Sequence, residues 1–137
     1  PLALSEDFEF RKSSTLSLRV GRMPRTTDMM IAHQRSVRYY GAITPEDEAD
    51  RRGDYFTFFW RTRRPADVAV RLEFRQANLG SYVQAREIAY ANVKGSRKTE
   101  FAVIGEDFTN DGPVISWRAL LIEDGKIVAV TQSSLWQ

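Results

Sequence analysis

His33 is the single histidine of this 137-residue chain and the one side chain whose ordinary pKa lies near neutrality. Base catalysis by histidine needs a nucleophile or water in reach and a third group to orient the ring. Asp28 stands five residues before it and Ser36 three after. No Gly-x-Ser-x-Gly turn is present to raise a serine from a sheet, so no triad is expected and His33 is read as a loop or strand-end residue. With no cysteine there is no thiol nucleophile, disulfide or zinc-thiolate site, and one histidine cannot furnish a two-histidine metal site. No catalytic residue, metal ligand or cofactor-binding residue is assigned.

Carboxylates are the remaining catalytic option, since a pair in a cleft can hydrolyse a glycoside without a cofactor. Glu46, Asp47, Glu48 and Asp50 form the densest acidic run, and a solvated helix start accounts for it. Glu106, Asp107, Asn110 and Asp111 offer oxygen ligands of the type that calcium loops use, but the EF-hand order with its terminal glutamate is missing. Gly105 to Pro113 is therefore read as a polar loop between strands. The segment Val93-Lys94-Gly95-Ser96-Arg97-Lys98 lacks phosphate-loop spacing and is read as a basic hairpin tip.

Arginine beside aromatic residues is the last chemistry on offer. Tyr55, Phe59 and Arg61 alternate on one side of a strand, Arg63 and Arg64 follow, and Arg71 and Arg75 alternate on the next strand. Aromatic and arginine side chains carry much of the binding energy at protein interfaces, and they also form stacking platforms for single-stranded nucleic acid. Asp67 and Glu73 interrupt this set, and the net charge is only +2, with sixteen arginines among twenty cations against eighteen carboxylates. The sequence thus suggests a noncatalytic protein-interaction module, with a protein partner or a second copy as its ligand. A carboxylate hydrolase and a single-strand binder are the alternatives.

The elements that would carry these residues are strands. Val114 to Ile122 and Ile127 to Trp136 flank Glu123-Asp124-Gly125-Lys126, and Asp-Gly suits a type I′ hairpin turn. Counting outward pairs Ile122 with Ile127, Leu121 with Val128, Ala119 with Val130 and Trp117 with Gln132. The core face then carries Ile115, Trp117, Ala119, Leu121, Val128 and Val130. A second hairpin is expected from Tyr55–Arg61 and Asp67–Arg75, joined by the proline-containing link 62–66. In it Phe56, Phe58 and Trp60 share one face, and Val68, Val70, Leu72 and Phe74 alternate on the other strand. Tyr82 to Tyr90 and Thr99 to Ile104 follow as strands, with Asn92 to Gly95 as turn punctuation.

The N-terminal part, up to about residue 53, is less regular. It offers strands at Phe8–Phe10, Thr15–Val20, Met29–Ile31 and Ser36–Tyr40, a basic loop at Gly21–Asp28, and a short helix near 45–52 capped by Thr44 and closed at Gly53. Length, 42% hydrophobic and 28% charged residues fit one globular domain over 1–137 without internal repeats. The expected fold is all-β: an antiparallel sandwich, immunoglobulin- or fibronectin-like by strand count, with a partly open barrel as the alternative. No apolar run of about 18 residues could span a bilayer. The start at Pro1 suggests either a processed product or a piece cut from a longer chain; the first, with a lost export signal or anchor, implies an extracytoplasmic location in a bacterial envelope or surface protein.

Overall fold

A computed structural model describes residues 1–18 and 51–137. The strands expected at Met29–Ile31 and Ser36–Tyr40, the loop at Gly21–Asp28, His33, and all but the last two residues of the helix at 45–52 lie outside the described residues.

Five strands form one antiparallel sheet: β1 (Phe8–Leu18), β2 (Gly53–Gln76), β3 (Gln84–Ile104), β4 (Val114–Glu123) and β5 (Lys126–Gln132). The all-β, antiparallel expectation holds. Among the described residues every named strand belongs to this sheet, and the two stacked layers of a sandwich are not seen. The sheet instead curls into a half-barrel.

The curl follows from β2. Its 24 residues would reach about 80 Å if straight. Yet both of its ends meet the short segment 105–114. At one end Gly105 N donates to Arg52 O (3.0 Å), and Val114 N donates to the Asp54 carboxylate (2.9 Å). At the other end Ala77 N donates to Pro113 O (3.0 Å), and the buried Gln76 amide donates to the carbonyls of Asp107 and Gly112 (both 2.9 Å). Residues 105–113, expected as a loop, contain the helix α1 (Glu106–Asp111), which thus joins both ends of the curled strand.

The expected hairpin at 55–75 is a single bent strand. Thr62 pairs with Gly95 and Ala66 with Val93, so β3 follows β2 on both sides of the bend. Pro65, which has no N–H to donate, falls within this irregularity, where proline is tolerated in a sheet. Thr62 Oγ1 donates to Arg64 O (2.7 Å) and Arg63 N to Asp7 O (2.8 Å), which satisfies backbone groups that the ladder releases. Asn92 and Gly95, at φ 48° and 90°, form the matching irregularity in β3. They are turn-prone residues that bend a strand rather than end it, so the basic segment 93–98 is mid-strand and not a hairpin tip.

One edge of β2 is shared between two partners: β1 takes residues 53–62 and β4 takes 69–76. β4 and β5 form the expected hairpin, with Asp124 and Gly125 both at positive φ. Ile122 faces Ile127 as counted, but a bulge between Leu121 and Ile122 then shifts the ladder, so Leu121 faces Ala129 and Ala119 faces Thr131. Val130 consequently faces Leu120 and leaves the core side. Trp117 packs on the core as expected, and a second irregularity, at Arg75/Gln76, leaves Ile115 exposed and turns Val114 to the core. The N-terminal residues run parallel to β5, Ala3 N donating to Ile127 O (2.8 Å) and Ser5 N to Val128 O (3.1 Å), and this carries the chain from β5 to β1.

The concave side is the core. Phe56, Phe58, Trp60, Val70, Leu72, Phe74, Phe101, Val103 and Leu121 are buried there, and Phe10, Tyr90 and Trp117 pack against them. Trp117 meets Phe58 edge-on at 5.4 Å between centroids, as Trp60 does Tyr90.

Candidate binding face

On the first arm of β2 the odd-numbered side chains point to the convex side. Phe59 is the large apolar side chain there that remains exposed, at 38%. Its cross-strand neighbours are Lys12 on β1 and Lys98 on β3, so one row across three strands reads Lys12–Phe59–Lys98. Neighbours in such a row have Cβ atoms about 5 Å apart.

Lys12 reaches this row through a bulge. Phe8 and Phe10 alternate toward the core, and strict alternation would send Lys12 after them. The ladder instead skips Arg11, so that Phe10 faces Trp60 and Lys12 faces Phe59. Both cations therefore line the same open depression of about 460 Å³, with Phe59, Ser96, Arg97 and Lys98. The adjoining rows read Ser14–Thr57–Glu100 on one side and Glu9–Arg61–Ser96 on the other, so each combines a small serine with a charged side chain.

Two carboxylates stand in the rows that flank Phe59. Glu9 pairs with Arg61 and lies 4.0 Å from Arg11, and Glu100 is 3.3 Å from Lys98. Neither carboxylate lines the depression. The Arg61 Nε is buried without a hydrogen-bond partner among the described residues.

Of the seven surface residues expected from sequence, the structure keeps Phe59 and Arg61 here and disperses the rest. Tyr55 is 7% exposed, with its hydroxyl donating to Arg51 O, so it contributes no contact area. Arg63 is exposed at the bend. Arg64 grips Glu123 through two bonds of 2.7 Å, holds Asp7 at 3.1 Å and lies over the Phe8 ring. Arg71 and Arg75 stand on the other arm of β2. Arg71 pairs with Glu73 (2.9 Å) and Glu87 (3.3 Å); Arg75 covers Trp136 at 4.2 Å and reaches Gln137 O.

The ionisation of these groups matches their pairing. Hydrogen bonds from Arg64 hold Glu123 below the ordinary carboxylate range and raise Arg64 itself. For Glu73 burial is the largest influence and favours the neutral acid, but hydrogen bonds from Arg71 and Arg118 outweigh it and the net pKa is lowered. These arginines are engaged in holding the sheet together. The residues that the sequence reading missed are Arg11, Lys12, Arg97 and Lys98. The signal available was two adjacent basic pairs flanking the aromatic strand.

Among the described residues no three His, Cys, Asp or Glu side chains gather closely enough to hold a metal ion. Asp107, in the segment weighed for calcium, pairs with Arg86 at 2.6 Å. No helix among the described residues is long and apolar enough to cross a membrane. No protein-family model, curated protein or solved structure matches this chain, so its functional reading rests on these residues.

Proposed function

We propose that this chain is a noncatalytic interaction module whose working surface is the convex face around Phe59, and that its partner is anionic there. One observation carries the reading: Lys12 and Lys98 flank the exposed Phe59 ring in one row, and Arg11 and Arg97 line the same depression, which no carboxylate lines. Lys98 shares its charge with Glu100 (3.3 Å) and Arg11 stands 4.0 Å from Glu9, so the cations outnumber the carboxylates beside them, and such a local excess gives a field that attracts and orients an oppositely charged partner. Retention on immobilised heparin tests this. The expected result is retention that falls with salt and is lost in K12E/K98E, while K126E at the β4–β5 turn elutes like the unmodified protein. Equal elution of K12E/K98E and the unmodified protein would refute the assignment.

A second reading, pairing with another protein or a second copy through a sheet edge, is favoured by one feature. Among the described residues β3 pairs with β2 alone along its 21 residues, which leaves its outer edge as a template for an added strand. Sedimentation across a concentration series checks the self-pairing form. A monomer at every concentration removes it.

A further inference from the structure

We infer that the anionic partner of the Phe59 face is single-stranded nucleic acid, with a base stacked on the Phe59 ring and its flanking phosphates held by Lys12 and Lys98. This rests on the anionic-partner reading above and adds the chemical class.

The argument lies in what stands between the cations. An acidic peptide or a sulfated sugar needs only the charges and leaves the face of the phenyl ring without a planar partner. A single strand needs both, because its phosphates alternate with planar bases that lose stacking partners in water. The row Lys12–Phe59–Lys98 presents that alternation in one line, cation, aromatic face, cation, with strands about 4.8 Å apart setting the spacing. Arg11 and Arg97 line the same depression and extend the positive charge beside the row. Ser14 and Ser96 in the adjoining rows offer small hydroxyl donors, and Arg61, next to Ser96, adds a guanidinium that is itself paired with Glu9. A duplex would present paired bases with no free face for Phe59, so single strands are selected.

The row is also held firmly from beneath. Trp60 and Thr99, the residues following Phe59 and Lys98, are buried and joined by a 2.9 Å hydrogen bond on the core side. The positions of ring and lysine are therefore fixed by the core, which lowers the ordering cost of binding.

Fluorescence anisotropy with a labelled oligodeoxythymidine of about ten nucleotides tests the inference, alongside heparin retention of the same proteins. Contact with about four phosphates predicts that affinity falls roughly fifty-fold between about 50 and 200 mM salt. F59A should weaken oligonucleotide binding by about five- to a hundred-fold through lost stacking and leave heparin elution unchanged. F59L, which keeps apolar bulk without a planar face, should behave like F59A, and this separates stacking from any loss of folding. Unchanged oligonucleotide affinity in F59L, or a duplex of the same length binding as tightly as the single strand, overturns the inference. Salt-sensitive heparin retention without oligonucleotide binding overturns it too, while the anionic-partner reading survives. Loss of both removes the two together.

Discussion

The hydroxyl of Thr99 accepts a hydrogen bond from Trp60 Nε1 at 2.9 Å, and the Tyr90 hydroxyl lies 2.7 Å from the same oxygen. Thr99 is 1% exposed and Trp60 fully buried, so water cannot replace this oxygen. The contact couples two points of β3, either side of its irregularity, to the first arm of β2. It thereby fixes the register that sets Lys98 opposite Phe59. T99V, nearly isosteric, should cost about 1–3 kcal/mol in urea unfolding because it strands the buried Trp60 Nε1 and removes a partner of the partly buried Tyr90 hydroxyl. T99S should restore most of the loss. Equal stability of T99V and the unmodified protein would show that the hydroxyl is dispensable.

Tyr55 and Phe59 belong to the same side of β2 and should respond differently to truncation. F59A removes a side chain already 38% exposed, and its stability cost should stay near or below about 1 kcal/mol. Y55A removes a buried ring and its hydrogen bond to Arg51 O, and should cost about 2–4 kcal/mol. Thermal and urea melts of the two variants distinguish surface from core on this face.

Two glycines with positive φ should differ in cost for a steric reason. A Cβ on Gly125, φ 74°, would meet nothing within 4 Å, so G125A should lose about 1 kcal/mol from backbone preference alone. A Cβ on Gly53, φ 149°, would overlap the Val103 carbonyl oxygen and stand 2.8 Å from Ile104 Cα. G53A must push β2 from β3 at the start of the ladder and should cost about 2–5 kcal/mol. Comparable melting points for the two variants would contradict the close approach of these strands.

Acid should destabilise the fold through Glu73 and Glu123, whose folded pKa values lie below the ordinary glutamate value of 4.5. The unfolded chain takes up these protons first, so their contribution is present above about pH 5 and is lost as pH falls through the folded pKa values. E73Q removes the ionised partner of Arg71 and Arg118, both partly exposed. It should cost about 1–2 kcal/mol at neutral pH and flatten the acid limb of the stability profile. An acid limb of the same steepness in E73Q would show that these pairs do not govern it.

Strand content and the core face of β2 were legible because Val68, Val70, Leu72 and Phe74, like Phe56, Phe58 and Trp60, alternate without interruption. The Asp124-Gly125 turn was legible because its backbone demands those residues. The bend at 62–66 was not, since proline among polar residues reads the same whether a strand reverses or only kinks; the difference is decided by whether β3 pairs on both sides. The bulges at Arg11 and next to Leu121 were likewise hidden, because one extra residue exchanges the faces of everything beyond it and leaves composition unchanged. That is why Lys12 escaped a reading by strict alternation, whereas Lys98 escaped because 93–98 reads as a hairpin tip. Arg64 looked available because Glu123 reaches it from another strand, and Arg71 because its clasp on Glu73 of the same strand and Glu87 of β3 is a matter of side-chain placement.

The sharing of β2 among β1, β3 and β4 also orders events during synthesis. β1 is complete before residues 53–62, its partner, have been made, and it can only wait. The β2–β3 ribbon forms next by a local turn, with the concave side of its second arm uncovered until β4 emerges. Residues 1–5 find β5 last of these, so two segments far apart in sequence close the sheet together. Such a chain cannot mature progressively from one end. Its folding is set by distant pairings, the regime in which domains of this kind take milliseconds to seconds.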